Sequence, residues 1–183
     1  MNIVFLMDPL STIEYKKDTT YALMKAADKA GHRIFYLSKY GIDYTPSNTS
    51  FRVTEVRPTE PIAEVKDCIL SPSEIDILWI RTDPPFDSTY LYHTWVLDRL
   101  RDQIKIINDP TGIRTVNEKI WATQFTSLIP ETCISSQKET LLSFVRRYEN
   151  TILKPINGYG GAGILKLSPT DPNLQSSIEL LTQ

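Results

Sequence analysis

The sequence predicts an α/β fold, with a parallel sheet in a first domain and a smaller region of short strands and helices after it. Short unbroken apolar runs, Ile3–Met7 and Ile75–Ile80 among them, read as strands buried on both faces, the habit of parallel sheets. Helical-period stretches lie between such runs, and a strand–helix–strand order implies parallel neighbours joined by a right-handed crossover. Beyond residue 130 the elements shorten and a glycine-rich segment separates two of them. A chain of 183 residues is enough for one ordinary domain, or for one domain plus part of a second.

Taken in order, Ile3–Met7 is the first strand, broken by Asp8-Pro9. Asp18 is placed to cap a helix from Thr19, with Leu23, Ala26, Ala27 and Ala30 at helical spacing and Gly31 as the stop. Arg33–Leu37 reads as the next strand. In the turn-rich stretch 41–61, Phe51 and Val53 alternate with Arg52 and Thr54, which suggests an exposed hairpin inserted in the domain. Ile75–Ile80 runs into Arg81-Thr82-Asp83-Pro84-Pro85-Phe86-Asp87, where paired prolines exclude helix. Asp87 or Ser88 then caps a helix to about Leu100, and Ile104–Ile107 is a strand closed by Asn108-Asp109-Pro110. Thr115 and Glu118 stand at capping-box spacing, predicting a helix over 116–126. The domain boundary falls near residue 122, dividing the chain into 1–122 and 123–183. A strand at 132–134, a helix at 137–148, strands at 151–154 and 164–167 and a last helix at 174–181 complete the order.

Composition removes several functional classes. Apolar residues make up 41% and charged residues 23%, the balance of a globular protein, and the formal charge is −2. No basic bias points to nucleic acid, and no run approaches the roughly 20 apolar residues that span a bilayer. The start lacks the features of a signal peptide. Cys68 and Cys133 each adjoin apolar residues and are expected to be buried, reduced thiols. His32 and His93 lie far from any cysteine at ligand spacing, which argues against zinc. The cytoplasm is the expected compartment.

The segment Ile152-Leu153-Lys154-Pro155-Ile156-Asn157-Gly158-Tyr159-Gly160-Gly161-Ala162-Gly163-Ile164 carries the most chemistry. Gly158, Gly160 and Gly163 match G-x-G-x-x-G, but a dinucleotide site needs a helix directly after the glycines. Here the residues that follow read as a strand. A hairpin of this kind can cover a phosphate with backbone N–H groups while Lys154 brings an ammonium to the same oxygens. A glycine-rich surface hairpin with a solvated lysine is the plainer alternative. A second cluster sits where Arg81 and Asp83 end one strand and Asp8-Pro9 and Asp109-Pro110 end two others. Ligands of open α/β sheets collect at such carboxyl ends, and an arginine there suits a carboxylate. The alternative is that the Asp-Pro pairs only terminate strands.

These segments, with Lys16-Lys17-Asp18, Asn117-Glu118-Lys119 and Pro130-Glu131-Thr132, occur in an order that resembles the bacterial glutathione synthetases, which are ATP-grasp ligases. The Asp-Pro-Pro-Phe-Asp loop and the Lys-Pro…Gly-Tyr-Gly-Gly segment together are the specific part. The resemblance implies a Rossmann-like domain preceding an ATP-grasp lobe. It implies that ATP phosphorylates γ-glutamylcysteine and that glycine attacks the acyl phosphate. By position, Lys119 and Lys154 look like the phosphate lysines, and Gly158, Gly160 and Gly161 like the phosphate-covering loop. Asp8, Arg81 and Asp83 would face the substrate cleft. No side-chain nucleophile is implied, since the substrate carboxylate attacks.

The family's proteins continue past this point, into the segment that holds most of the adenine contacts and the magnesium ligands. After Gly163 the only acids are Asp171 and Glu179. The chain alone is therefore expected to make no glutathione and to find its Mg2+ ligands outside itself, either as a truncated product or as one half of a split enzyme; exposed sheet surface favours a complementing C-terminal chain or a homo-oligomer. Rival readings are a non-catalytic nucleotide- or peptide-binding module, another ATP-grasp carboxylate–amine ligase, and an NAD(P) oxidoreductase, the last opposed by the strand after the glycines.

Overall fold

The computed structural model describes residues 1–182. It divides into two compact units, Met1–Thr115 and Val116–Gln183, where the sequence reading set the boundary near residue 122.

The first unit is built on a six-stranded sheet in the order β4-β3-β2-β1-β5-β6. Its central strand, β1 (Asn2–Leu6), pairs in parallel with β2 (Arg33–Thr45) on one side and β5 (Ile77–Ile80) on the other. β6 (Lys105–Ile107) extends the parallel part. Strand β1 is apolar throughout because both its faces are covered. Val4 and Leu6 point into one core with Leu97 and Leu100 from α2 (Ser88–Asp98) and the turn after it. Ile3 and Phe5 point into the other with Met24 of α1 (Thr19–Lys29), and Phe5 stacks on Trp79 with ring centroids 5.7 Å apart. One helix therefore covers each face, as in open α/β sheets generally.

Both helices begin where local chemistry demands. Asp18 accepts from the backbone N–H of Tyr21 at 2.8 Å, and Asp87 from that of Tyr90 at 2.9 Å. Each aspartate thus satisfies one of the N–H groups a helix start leaves free. Gly31, at φ 78°, ends α1 in the left-handed region that glycine enters without strain.

The hairpin expected to be an exposed insertion is instead part of the sheet. β2 continues past a bulge to Thr45, and β3 (Asn48–Arg57) returns antiparallel beside it. Phe51 and Val53 are buried in the α2-side core rather than displayed on a flap. An additional strand, β4 (Ala63–Leu70), pairs antiparallel with β3 and forms the sheet edge, exposing Val65 and Ile69.

The predicted helix over 116–126 does not form. A short helix, α3 (Pro110–Thr115), stops there, and Thr115 donates its hydroxyl back to the carbonyl of Thr111 at 2.9 Å. It is thus spent on the preceding helix, not the following one. Asn117 takes the capping role, accepting from the N–H groups of Lys119 and Ile120, and only a single 3-10 turn follows at Trp121–Gln124.

The second unit contains α4 (Lys138–Val145), a two-stranded antiparallel sheet of β7 (Thr151–Leu153) and β8 (Leu165–Leu167), and α5 (Leu174–Thr182). Leu141, Leu142, Val145, Leu167, Leu174 and Ile178 form its core. The strand expected at 132–134 is absent: among the described residues nothing offers it a ladder. Cys68 and Cys133 are unpaired but only half-buried, so neither is the fully buried thiol expected. Burial is still the largest influence on the Cys68 thiol and pushes its pKa up. Among the described residues no helix is long and apolar enough to cross a membrane.

Candidate functional site

Two groups of residues carry chemistry, one in each unit. In the first, the carboxyl ends of β1 and β5 and the start of α1 enclose a cleft of about 310 Å³. Asp8, Arg81 and Asp83 all line it, together with Lys17, Thr19 and Thr20. The strand ends fix these side chains: Arg81 N–H donates to Leu6 O at 2.7 Å, continuing the β1–β5 ladder one residue into the loop. Asp8 Oδ2 accepts from the backbone N–H of Asp83 at 2.6 Å, which ties the two loops together.

Arg81 is held by hydroxyls rather than by acids. Its Nε donates to Thr20 Oγ1 at 3.1 Å and its Nη2 to Thr19 Oγ1 at 2.8 Å. Among the described residues it joins no ion pair, although it is partly buried. A guanidinium so placed, beside the first turn of a helix, adds to a positive potential and suits an incoming carboxylate. Thr19 and Thr20 were invisible to the sequence reading as site residues. Their signal, hydroxyls in a helix's first turn, acquires meaning only once β5 is seen to end against them.

The third Asp-Pro loop does not join this cleft. Asp109 accepts from the N–H of Gly112 at 2.6 Å and is gripped by both Nη atoms of Arg101 at 2.5 and 3.0 Å. Arg101 lowers its carboxyl most, to a pKa of about 2, with the Gly112 N–H next. Its role is to start α3. A larger depression of about 350 Å³ lies over β3 and β4, but its polar groups are mutually satisfied: Thr54 donates to Asp67 at 2.7 Å, and Arg52 pairs with Asp43. Nothing in it converges on a ligand.

In the second unit, β7 leads through Lys154 into the glycine loop, and β8 follows it, so a hairpin and not a helix flanks the glycines. Gly160 and Gly161 sit at φ 59° and 81°, where an L side chain is strained, and the N–H of Ala162 closes the turn on Tyr159 O at 3.1 Å. Gly158 is required for space: a Cβ there would lie 2.5 Å from the Pro155 ring. The N–H groups of Tyr159, Gly160, Gly161 and Gly163 donate to no group among the described residues. Such an array of free donors is what phosphate oxygens need.

Lys119 reaches the same loop. Its Nζ donates to Gly158 O at 2.6 Å, Ile156 O at 3.0 Å and Glu118 Oε1 at 2.8 Å, which uses all three ammonium protons. Lys119 also lowers the Glu118 carboxyl through that bond, the largest of its influences. Lys154 is exposed and bonds to nothing among the described residues. Lys119 thus braces the loop's shoulder, and Lys154 is the uncommitted cation beside it.

The acids present do not suit magnesium. Among the described residues no group of three His, Cys, Asp or Glu side chains is arranged to hold a metal ion, and Glu118 is committed to Lys119.

Comparison with known proteins identifies the family. Residues 1–114 match the family model described as prokaryotic glutathione synthetase, N-terminal domain, and residues 118–183 match the model of its ATP-grasp domain. The glutathione synthetase of Brucella melitensis is 36% identical over all of this chain and 60% of its own length. That of Thermosynechococcus vestitus is 35% identical over all of this chain and 62% of its own, and that of Shewanella oneidensis 34% over 97% and 58%. The chain thus spans about 60% of the length of the curated relatives it matches. Among solved structures, the ATP-grasp ligase PsnB, complexed with minimal precursor, Mg and ADP, covers 99% of this chain and 62% of its own at 15% identity, with a TM-score of 0.48, a likeness on which nothing further rests. Two family models in the expected order, covering nearly every residue, place this chain in the prokaryotic glutathione synthetase family.

Proposed function

We propose that this chain supplies the substrate cleft and the phosphate-covering loop of a glutathione synthetase, joining γ-glutamylcysteine to glycine at the expense of ATP. The observation that carries the reading is the set of unpaired N–H groups at Tyr159, Gly160, Gly161 and Gly163 beside the free ammonium of Lys154. In this reading the loop's N–H groups and Lys154 take up charge on the transferring phosphoryl group, and Lys119 holds the loop in shape. Arg81 grips a substrate carboxylate, while Asp8 fixes the Asp83 loop and the two acids leave room for a substrate ammonium. The dipeptide's glycine-accepting carboxylate attacks the terminal phosphorus of ATP, ADP leaves, and the acyl phosphate is then attacked by the amine of glycine with loss of phosphate. Covering the phosphates excludes water that would hydrolyse that intermediate.

The magnesium that accompanies ATP in such ligases finds its ligands outside this chain, in a complementing C-terminal segment. The cytoplasm, where ATP and reduced thiols are abundant, is the compartment this chemistry suits.

The test is turnover with ATP, γ-glutamylcysteine and glycine. The chain alone is expected to bind ATP and release no glutathione. Mixed or fused with the remaining 40% of a relative, it is expected to turn over, and Lys154→Ala is expected to lower that rate at least about tenfold. Glutathione formed by the chain alone would refute the need for ligands outside it, and full activity in the lysine variant would refute the role given to Lys154. ATP binding without turnover in the completed enzyme would favour a non-catalytic module.

A further inference from the structure

We infer that Thr19 and Thr20 are positioning residues for Arg81, presenting its end-on fork to a substrate carboxylate; the inference rests on the reading of this cleft as the dipeptide site. A guanidinium has two faces for bidentate recognition. One is the side-on edge made by Nε–H and one Nη2–H, and the other is the end-on edge made by Nη1–H and the second Nη2–H. Thr20 Oγ1 accepts from Nε at 3.1 Å and Thr19 Oγ1 from Nη2 at 2.8 Å, so the hydroxyls occupy the side-on edge. Three N–H bonds remain, including the whole end-on edge, and none has a partner among the described residues.

The arrangement is specific in three ways. Thr20 is 5% exposed, so its hydroxyl has little water to fall back on. Both hydroxyls belong to the first turn of α1, which Asp18 anchors by accepting from Tyr21 N–H. Finally, neutral hydroxyls hold the guanidinium without an ion pair among the described residues, so no carboxylate occupies its fork, although Asp8, Glu14, Asp18 and Asp83 line the same cleft. An aspartate in their place would hold the arginine as well but would neutralise it and occupy the fork's partner role. The sequence Asp18-Thr19-Thr20 therefore sets the angle of a side chain 61 residues away without satisfying it.

The experiment has two arms on the full chain. The first reads the Arg81 Nε–H signal by NMR. In the wild type it should exchange slowly with water. Thr20→Val should speed that exchange about tenfold or more, and Thr20→Ser should restore it. Exchange in Thr20→Val within about twofold of wild type overturns the inference. The second arm titrates γ-glutamylcysteine. Thr20→Val should weaken binding about tenfold and Thr20→Ser by about twofold at most, with α1 helicity unchanged by circular dichroism. Binding lost in Arg81→Ala but unchanged in a Thr19→Val/Thr20→Val double variant refutes the positioning role and leaves the cleft reading standing. A wild-type chain with a protected Nε–H that binds no dipeptide refutes the cleft reading instead.

Discussion

In the proposed reading, the two units would meet an anion in opposite ways. The first would use one charged side chain, oriented by hydroxyls and planted at the end of β5, whose neighbour β1 is buried on both faces. The second uses backbone, freed by glycines and framed by a two-stranded sheet over a core of six buried residues. A cleft built from side chains is sensitive to deletion; a loop built from bare backbone is sensitive to addition. The same difference separates their foundations: the first unit has two cores flanking one sheet, the second a single small one.

The sharpest way to break the comparison is through the cores. Phe35, fully buried, should cost about 3–5 kcal/mol on truncation to Ala. Ile178→Ala should cost about 2–5 kcal/mol, but from a much smaller reserve. Urea unfolding followed by Trp fluorescence and by amide NMR in parallel should show the Ile178 variant losing the second unit at low urea while the first persists. Coincident loss of both units would mean that their stabilities are not separable.

Adding a methyl group to the loop comes next. Gly161→Ala forces an L residue to φ 81° and should cost about 1–2 kcal/mol of local stability. Its ATP affinity should fall accordingly, while dipeptide binding in the other unit stays put. A loop that accepts alanine without loss in calorimetry would not be using its glycines for geometry. Removing the anchor of α1 is expected to matter slightly less. Asp18→Ala should cost about 1 kcal/mol and loosen Arg81 as well, so thermal unfolding and the Nε–H exchange rate should change together.

These cases also show how much could be read from the chain. Strand β1, the Asp18 and Asp87 caps and the Gly31 stop are decided within a few residues, and they were legible. So was the strand end at Arg81 and Asp83, because paired prolines after a strand are a local signal. Strand β4 was not: Glu64, Lys66 and Asp67 give it the charged composition of a sheet edge, which hides a strand from an apolar pattern. Thr115 and Glu118 had capping-box spacing, yet Thr115 bonds backwards into α3, an outcome that spacing alone does not decide. Thr19 and Thr20 escaped because their partner arrives from another strand. Lys119 was found as a cation, but its hold on the carbonyls of Ile156 and Gly158 needed coordinates.

The smallest effect expected is on acid stability. The Arg101 guanidinium holds the Asp109 carboxyl at about 2, below its unfolded value. Its stabilising contribution is therefore complete above roughly pH 4 and disappears as the pH falls towards 2. Asp109→Asn keeps a capping side chain but removes the charge. It should lower the thermal midpoint of the first unit slightly at pH 6 and much less at pH 2. Equal shifts at both values would mean that the ion pair contributes nothing.

The brace made by Lys119 limits how far the hairpin's tip can travel. With the shoulder fastened at Ile156 and Gly158, the span at liberty to swing is residues 159–163, bounded on its far side by β8. Fully drawn out, that span measures about 17 Å, so as an arch its crest rises at most about 8 Å above its feet. If the loop covers a nucleotide as proposed, the nucleotide would have to bring its phosphates to this short flap, because the flap is too short to go and fetch them.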